Sequence, residues 1–244
     1  MSRSPSGRLR TALIIGASSG IGEALARALA RQGGWRLGLA ARRTERLAAI
    51  AAELSPVPCV IRGLDLSAPD AARAETAALI EELGTVDLCI VCSGTGHFNE
   101  ALDWGPERET ITVNALGFAA VAGAALTHFF GRGEGHLVGI SSISGLRGSG
   151  RAPAYAATKA FVSTYLDGLR ALARAKAPRV RVTEAAPGFV ATAMMKTDRP
   201  FWVASPEKAA QDILGAVARG AKHVYVTRRW GLMALWLRLL PRPG

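Results

Sequence analysis

A tyrosine and a lysine lie four residues apart in the segment APAYAATKAF, residues 152–161, where they could act together in proton transfer. On a helix, residues at this spacing lie on one face, about one turn apart. A tyrosine with its ordinary pKa of about 10 is a weak acid–base catalyst at neutral pH. A neighbouring ammonium favours the phenolate and lowers that pKa. Tyr155 and Lys159 are therefore candidates for a general acid–base pair, although the spacing alone also fits an ordinary alanine-rich helix.

A glycine-rich turn follows the first apolar run of the chain, at residues 11–15, and opens a helical pattern at residues 20–32. Glycines let a backbone turn tightly and approach a pyrophosphate, whose charge is attracted by the N–H groups of a helix N-terminus. Between a first strand and a first helix, such a turn predicts a dinucleotide site. The candidate contacts in this turn are Gly16, Ser18, Ser19, Gly20, Ile21 and Gly22.

The second predicted strand ends in LAARR, residues 39–43, without an acidic residue. Sites for NAD usually place an Asp or Glu there to bind the adenosine ribose hydroxyls. A guanidinium suits the 2′-phosphate of NADP instead, and Ser18 would add a hydroxyl. Arg42 and Arg43 therefore favour NADP(H) over NAD(H), although two arginines also suit the solvated start of a helix.

Short apolar runs alternate with helical patterns along nearly the whole chain. Strands are predicted at residues 11–15, 35–40, 57–61, 87–91, 136–141, 179–185 and 223–226. Helices are predicted at residues 20–32, 45–54, 69–83, 107–130, 152–175 and 206–219. Strands separated by helices of this length form parallel sheets with right-handed crossovers. The fold class is therefore α/β, a doubly wound parallel sheet with helices on both faces.

Composition favours a single soluble domain spanning residues 1–244. The chain is 49% apolar and carries no linker-like, low-complexity or repeated segment. We find no run of the roughly 20 apolar residues that a membrane-spanning helix requires. Cys89 and Cys92 fall on a predicted strand, where residues three apart face opposite ways, so the three cysteines indicate neither a disulfide framework nor a metal site. A reducing, cytoplasmic location is expected.

The net charge of +11 would attract nucleic acid, anionic lipid or a polyanionic cofactor. The arginines are spread along the chain, with no basic run interleaved with aromatic residues. Nucleic acid is therefore not an expected partner.

Several motifs occur in the order and spacing of one family. They are the glycine-rich turn at residues 16–22, Asp65, Asn114, Ser141-Ser142, Tyr155-Ala-Ala-Thr-Lys159 and Pro187-Gly188. Over residues 9–226 the chain thus resembles the short-chain dehydrogenase/reductase (SDR) family. The resemblance implies a seven-stranded Rossmann fold and NAD(P)-dependent interconversion of a carbonyl group and an alcohol. It also implies assembly into a homodimer or homotetramer.

The resemblance assigns catalytic roles to four residues. Tyr155 is the acid–base, and Lys159 is its electrostatic partner and binds the nicotinamide ribose. Ser142, at the end of the fifth strand, would hold the substrate oxygen beside Tyr155. Asn114 would distort its helix and hold a water that leads to Lys159, completing a proton relay.

The resemblance also assigns further cofactor contacts. These are Asp65 at the adenine amine with Leu66 beside it, Gly94 for close backbone approach, Pro187 and Gly188 under the nicotinamide, and Val190 and Thr192 at its carboxamide. One departure concerns the end of the fourth strand. The family's Asn-Asn-Ala-Gly reads Val91-Cys92-Ser93-Gly94 here, so the asparagine side chains that brace the sheet are missing. We expect this to affect local packing more than chemistry.

The segment after Gly188 stands where the family has its substrate loop. It is apolar, with Met194, Met195, Phe201 and Trp202, and the opposite wall would contain His97, Phe98 and Leu146. The substrate predicted from these residues is an apolar ketone, aldehyde or secondary alcohol. The same side chains would equally suit a covering of the core or an oligomer interface.

The C-terminal extension, residues 228–244, is apolar and basic. Its central run, residues 230–240, is too short to span a bilayer. Two alternatives fit it: packing in an oligomer interface, or peripheral membrane contact through residues 229–240 with Trp230 and Trp236 as anchors.

Together these features predict an NADP(H)-dependent oxidoreductase acting on a small-molecule carbonyl or alcohol, with no metal. The alternative class is a non-catalytic dinucleotide-binding protein that engages a partner or membrane. Within enzymes, a 3-oxoacyl reductase or a hydroxysteroid-type enzyme would share every motif named above.

Overall fold

The strands of the protein form one parallel sheet. The computed structural model describes residues 8–195, 197 and 199–239. The sheet order is β3-β2-β1-β4-β5-β6-β7, which reverses direction at β1 and β4 as in a Rossmann fold. The strands are β1 (Arg10–Ile15), β2 (Trp35–Ala41), β3 (Cys59–Gly63), β4 (Leu88–Val91), β5 (Glu134–Ile140), β6 (Arg179–Pro187) and β7 (His223–Val226).

In the described part of the chain, eight α-helices cover the two faces of the sheet. They are α1 (Gly20–Gln32), α2 (Thr44–Glu53), α3 (Pro69–Leu83), α4 (Trp104–Ile111), α5 (Phe118–Arg132), α6 (Pro153–Lys176), α7 (Pro206–Ala218) and α8 (Arg228–Leu239). A π-helical turn, Thr112–Gly117, joins α4 to α5, and a 3₁₀ turn, Ile143–Leu146, follows β5. The fold class predicted from the sequence is confirmed.

Alternation along β1 divides the core into two layers. Ile14 packs in the layer with Leu25 and Ile213, from α1 and α7. Ile15, pointing the other way, packs with Phe118 and Leu166, from α5 and α6. Both faces of the central strands are therefore covered by helices, which explains why these strands read as continuous apolar runs.

The predicted boundaries hold closely, with three differences. The strand predicted at residues 57–61 lies two residues later, at Cys59–Gly63. The helix predicted at residues 107–130 begins earlier and is interrupted by the π-helical turn. The C-terminal run forms α8, and residues 240–244 of the extension lie outside the described residues.

One helical stretch is long and apolar enough to cross a membrane by length and composition. It runs from Trp104 to Arg132, and its most apolar window has a mean hydropathy of 1.5. The sequence pattern predicts no such stretch. However, 61% of that window is buried inside the fold, so this helix is packed as a core helix.

All three cysteines are free thiols.

Candidate active site

The four predicted catalytic side chains come from three neighbouring elements. Ser142 lies two residues after the end of β5, at the carboxyl end of the sheet, where ligands of parallel α/β folds bind. Tyr155 and Lys159 lie one turn apart on α6, and Asn114 lies in the π-helical turn. The structure brings all four residues to the same end of the sheet.

Ser142 and Tyr155 meet through their side chains. The two hydroxyls share a hydrogen bond. Ser142 Oγ also accepts a bond from the Ser144 N–H (3.1 Å) and donates to the Pro187 carbonyl (3.3 Å). The Tyr155 ring lies directly over Gly96, where an added Cβ would be 2.7 Å from ring carbon Cδ2. The tyrosine is thus held between the serine hydroxyl and a glycine backbone.

Lys159 is buried beneath this pair. Its Nζ donates to the Ile140 carbonyl (3.1 Å) and lies 5.7 Å from the centroid of the Tyr155 ring. Burial lowers the pKa of Lys159 to about 8, an effect that neighbouring Cys92 partly opposes. Because only 5% of the lysine is exposed, its ammonium carries an unscreened desolvation cost that a bound anion or dipole would relieve.

The structure does not show the predicted lowering of the pKa of Tyr155. Burial raises the pKa of Tyr155, and the hydrogen bond with Ser142 only partly offsets this rise. Lys159 makes its hydrogen bond to a carbonyl instead of the phenol oxygen. The phenolate therefore needs more positive charge than the lysine supplies at this distance.

Asn114 is fixed by the loop after β4. The Thr95 N–H donates to Asn114 Oδ1 (2.8 Å), and Asn114 Nδ2 donates to the Thr95 carbonyl (2.7 Å). Asn114 Nδ2 also donates to Thr158 Oγ1 (3.2 Å). An added Cβ at Gly94 would be 3.3 Å from Asn114 Oδ1 and 3.5 Å from Lys159 Nζ, so this glycine separates the two side chains. The helix is distorted at Asn114, as the resemblance implied; the bound water and the relay remain predictions.

The glycine-rich turn has the geometry of a phosphate cradle. Gly16 and Gly20 have positive φ angles of 94° and 57°, which favour glycine. An added Cβ at Gly22 would be 2.1 Å from the Gly16 carbonyl oxygen, so the turn closes too tightly for a side chain. Ser19 precedes α1, and Ile21 lies in its first turn. A nucleotide pyrophosphate fits these backbone N–H groups at the start of α1.

The two arginines after β2 have different surroundings. Arg43 donates to Ser18 Oγ (3.1 Å) and Ser19 Oγ (2.9 Å), and so reaches the glycine-rich turn. Arg42 lines a cavity of about 370 Å³ together with Asp65. The guanidinium that touches the turn is therefore that of Arg43, whereas Arg42 lies beside the adenine position that the resemblance gives to Asp65.

Leu66 lies one residue further along and is buried. Its carbonyl oxygen would be 2.4 Å from a Cβ added at Gly117. The loop after β3 therefore packs closely against the π-helical turn. This contact links the adenine side of the site to the segment that carries Asn114.

The Pro187-Gly188 segment and the residues that follow it lie on the side of the site opposite the loop after β3. The Trp230 ring stacks on Gly188, with an added Cβ only 2.0 Å from a ring carbon. Thr192 Cγ2 is 3.0 Å from the Cβ position of Gly20, so the loop touches the glycine-rich turn. Val190 points into the core, which leaves its backbone for any contact with a cofactor.

Only some of the side chains predicted to line the substrate pocket lie near the catalytic residues. Met194 Cε is 3.9 Å from the Cβ position of Gly94, the glycine that also lies next to Lys159. Phe201 and Trp202 pack on Trp230, with ring centroids 5.0 and 5.6 Å away.

The remaining predicted wall residues have other surroundings. His97 Nε2 is engaged with Glu109 (3.0 Å), and Phe98 stacks under the Arg151 guanidinium at 4.3 Å. Met195 and Leu146 are half-buried.

The departure at Cys92-Ser93 leaves the sheet intact. The N–H groups of Cys92 and Ser93 both donate to the Ile15 carbonyl, at 2.8 and 3.1 Å. Backbone bonds thus brace the strand end where the family uses asparagine side chains. Burial raises the pKa of Cys92 to about 12, so its thiol stays neutral although Lys159 lies nearby.

Two residues of the site, Thr158 and Thr95, were not singled out from the sequence. Thr158 links Asn114 to the Tyr155 carbonyl, to which its hydroxyl donates (3.0 Å), and its place inside the Tyr-Lys motif was the available signal. Thr95 gave no signal, because it acts through its backbone. Trp230 was predicted instead as a membrane anchor. That prediction is wrong, because the Trp230 side chain is buried and its ring lies on Gly188.

Comparisons with known proteins agree with this geometry. A family model described as short chain dehydrogenase matches residues 10–201. An uncharacterized oxidoreductase of Myxococcus xanthus is 36% identical over 242 residues, covering 96% of this chain and 94% of that protein. An alcohol dehydrogenase from Thermococcus sibiricus, complexed with 5-hydroxy-NADP, is 29% identical with a TM-score of 0.79, covering 89% of this chain and 96% of that chain.

A short-chain dehydrogenase from Sphingobium yanoikuyae, in complex with NADPH, superimposes with a TM-score of 0.80 at 27% identity. It covers 97% of this chain and 98% of that one. With the sheet order, the glycine-rich turn and the Tyr155–Lys159 pair already in place, these matches decide the family. The chain belongs to the short-chain dehydrogenase/reductase family of NAD(P)-dependent oxidoreductases.

Proposed function

We propose that this enzyme interconverts an apolar ketone or aldehyde and its alcohol with NADP(H), using Tyr155 as the general acid–base. The observation that carries the proposal is the hydrogen-bonded Ser142–Tyr155 pair above the buried Lys159. A carbonyl oxygen that enters between the two hydroxyls would receive a hydrogen bond from each. Such a pair has no use in a protein that only binds a dinucleotide.

Each residue of the site would have its own role in the reaction. The bound nicotinamide supplies or accepts the hydride. Ser142 orients the substrate oxygen, and Tyr155 donates its proton as negative charge develops there. Lys159 holds positive charge below the ring, and the lysine and Asn114 lead away from Tyr155 as a proton relay. In the oxidation direction the same groups act in reverse.

The cofactor preference is proposed from Arg43. Its guanidinium touches both serines of the glycine-rich turn, where an adenosine 2′-phosphate would be bound, and the strand end holds no acid. The complexes of the two structural relatives with NADP-type cofactors support this choice. An Arg43→Gln variant should lose NADPH affinity by roughly tenfold or more while NADH is little affected. Arg46→Gln, in the first turn of the helix that begins directly after Arg43, is the control. A wild-type preference for NADH would overturn the proposal.

The substrate class is proposed from Met194, Phe201 and Trp202, which are each at least 40% exposed around the crevice. A panel of ketones and alcohols with NADPH or NADP⁺, followed by nicotinamide absorbance, tests it. Tyr155→Phe should lose about 10²–10⁴-fold in turnover and keep cofactor binding. Undiminished turnover in that variant would refute the acid–base role, and turnover only of small charged substrates would refute the apolar pocket.

We also propose that two copies pair through α6. A groove of about 350 Å³ on this helix is lined by Phe161, Tyr165, Leu169 and Leu172, with Phe161 and Leu172 40% exposed. A homodimer, or a homotetramer built from such pairs, would cover this groove. Phe161→Glu should reduce the molecular mass measured by light scattering, and a wild-type monomer would refute the pairing.

A further inference from the structure

One face of α8 is anchored to the body of the enzyme. Trp230 and Ala234 are buried, and the Trp230 ring lies on Gly188. Arg147, after the 3₁₀ turn, donates from Nε and Nη2 to the Leu237 carbonyl, at 3.0 and 2.6 Å. These contacts fix the rotation of the helix and therefore decide which side chains face outward.

The outward face of α8 is an apolar stripe. Leu232, Leu235, Trp236 and Leu239 are 71%, 58%, 56% and 76% exposed. Their spacing of three, one and three residues places them on one side of a helix over two turns. Scattered apolar residues at a surface are ordinary, but a continuous stripe of large ones marks an interaction surface.

Arginines flank this stripe. Arg228, Arg229 and Arg238 are exposed, and the helix contains no acidic residue. Within the described part of the chain, none of these three arginines forms an ion pair. Twofold pairing of α8 with a second copy would bring like charges together, because the same patch faces itself. An anionic bilayer is complementary to both the arginines and the apolar side chains.

We propose that α8 docks the enzyme on anionic lipid bilayers, lying in the plane of the interface. The leucines of the stripe enter the boundary between headgroups and acyl chains, Trp236 anchors at headgroup depth, and the arginines contact lipid phosphates. Twelve residues, Arg228–Leu239, are too few to span a bilayer, so the contact is peripheral. The docking uses no residue of the catalytic site.

Co-sedimentation of the full chain with vesicles tests this proposal. We expect binding to vesicles of equal parts phosphatidylcholine and phosphatidylglycerol, and much weaker binding to phosphatidylcholine alone. The double variant Leu235→Ser/Trp236→Ser should lose about tenfold or more in partitioning, because burial of two large apolar side chains is lost without a change in charge. Arg228→Gln/Arg229→Gln should lose roughly fivefold per arginine. The matched control is Trp104→Ser, whose tryptophan is 68% exposed at the start of α4.

Three results would overturn the docking. The first is no binding of the wild type to anionic vesicles. The second is equal binding by the wild type and Leu235→Ser/Trp236→Ser, which would mean nonspecific attraction by the positive surface. The third is a fall in molecular mass of that variant in the absence of lipid, which would assign the stripe to a second copy. Because the altered side chains are exposed, unchanged thermal unfolding and NADPH turnover would show that the fold and the catalytic site are intact.

Discussion

Replacing Lys159 by methionine should abolish turnover and at the same time stabilise the protein at neutral pH. Methionine keeps most of the length of the side chain but removes the buried ammonium. The ammonium is unfavourable in the resting structure, because burial lowers the pKa of Lys159 from 10.5 to about 8. Under the proposed mechanism this cost serves the function, since the same charge would act next to Tyr155 and the nicotinamide ribose.

The expected change in the free energy of unfolding follows from the shifted pKa of Lys159. The fall from 10.5 to about 8 corresponds to about 3 kcal/mol, and the ionised group carries nearly all of this cost near pH 7. The variant also leaves the Ile140 carbonyl without its 3.1 Å hydrogen bond, which costs about 1 kcal/mol. The net expectation is a gain of about 2 kcal/mol in the free energy of unfolding.

The stability of the wild type should rise with pH because of Lys159. The folded state binds fewer protons at Lys159 than the unfolded state between the two pKa values, so wild-type stability rises with pH in that window. The wild type should therefore recover about 2 kcal/mol between roughly pH 7 and pH 9.5, and the advantage of Lys159→Met should shrink by the same amount.

Urea unfolding of both proteins at several pH values measures this difference. Turnover with NADPH is measured on the same samples. A Lys159→Met variant that is less stable than the wild type near pH 7 would refute the reasoning. So would a stability difference that does not change with pH.

Two further predictions concern buried contacts. Gly188→Ala should destabilise the fold by about 1–3 kcal/mol and weaken NADPH binding, because its Cβ would be 2.0 Å from the Trp230 ring. Gly105→Ala, which has open space around it, is the control in thermal unfolding, and equal stability of the two would contradict this packing. The pKa of Glu184 is lowered: burial alone would raise it, but bonds with His223 and Ser141 outweigh that effect. A carboxyl group with a lowered pKa contributes stability that is lost as the pH falls through that pKa. Glu184→Gln should therefore unfold at neutral pH more easily than the wild type, and its free energy of unfolding should depend less on pH in acid. An unchanged dependence of stability on acid pH would refute this.

The site was predictable in its residue types but not in its electrostatics. Tyr155 and Lys159 are linked by helical periodicity, so the sequence placed them on one face correctly. The pKa of Tyr155 is raised in the structure and not lowered as predicted, because the sign of the change depends on burial and on the Ile140 carbonyl to which Lys159 donates. Similarly, the sequence offered Arg42 and Arg43 alike, and only the turn in space shows that Arg43 reaches the serines.

The sequence by itself determined the α/β fold, the order of strands and helices, the glycine-rich turn and the family motifs, because these depend on local periodicity and on residues close together in the chain. The tertiary structure decided what distant segments do to each other. It placed Trp230 on Gly188, joined Asn114 to Thr95, and turned one side of α8 into the core and the other outward. Such contacts depend on how packed elements approach in space, which no local pattern specifies.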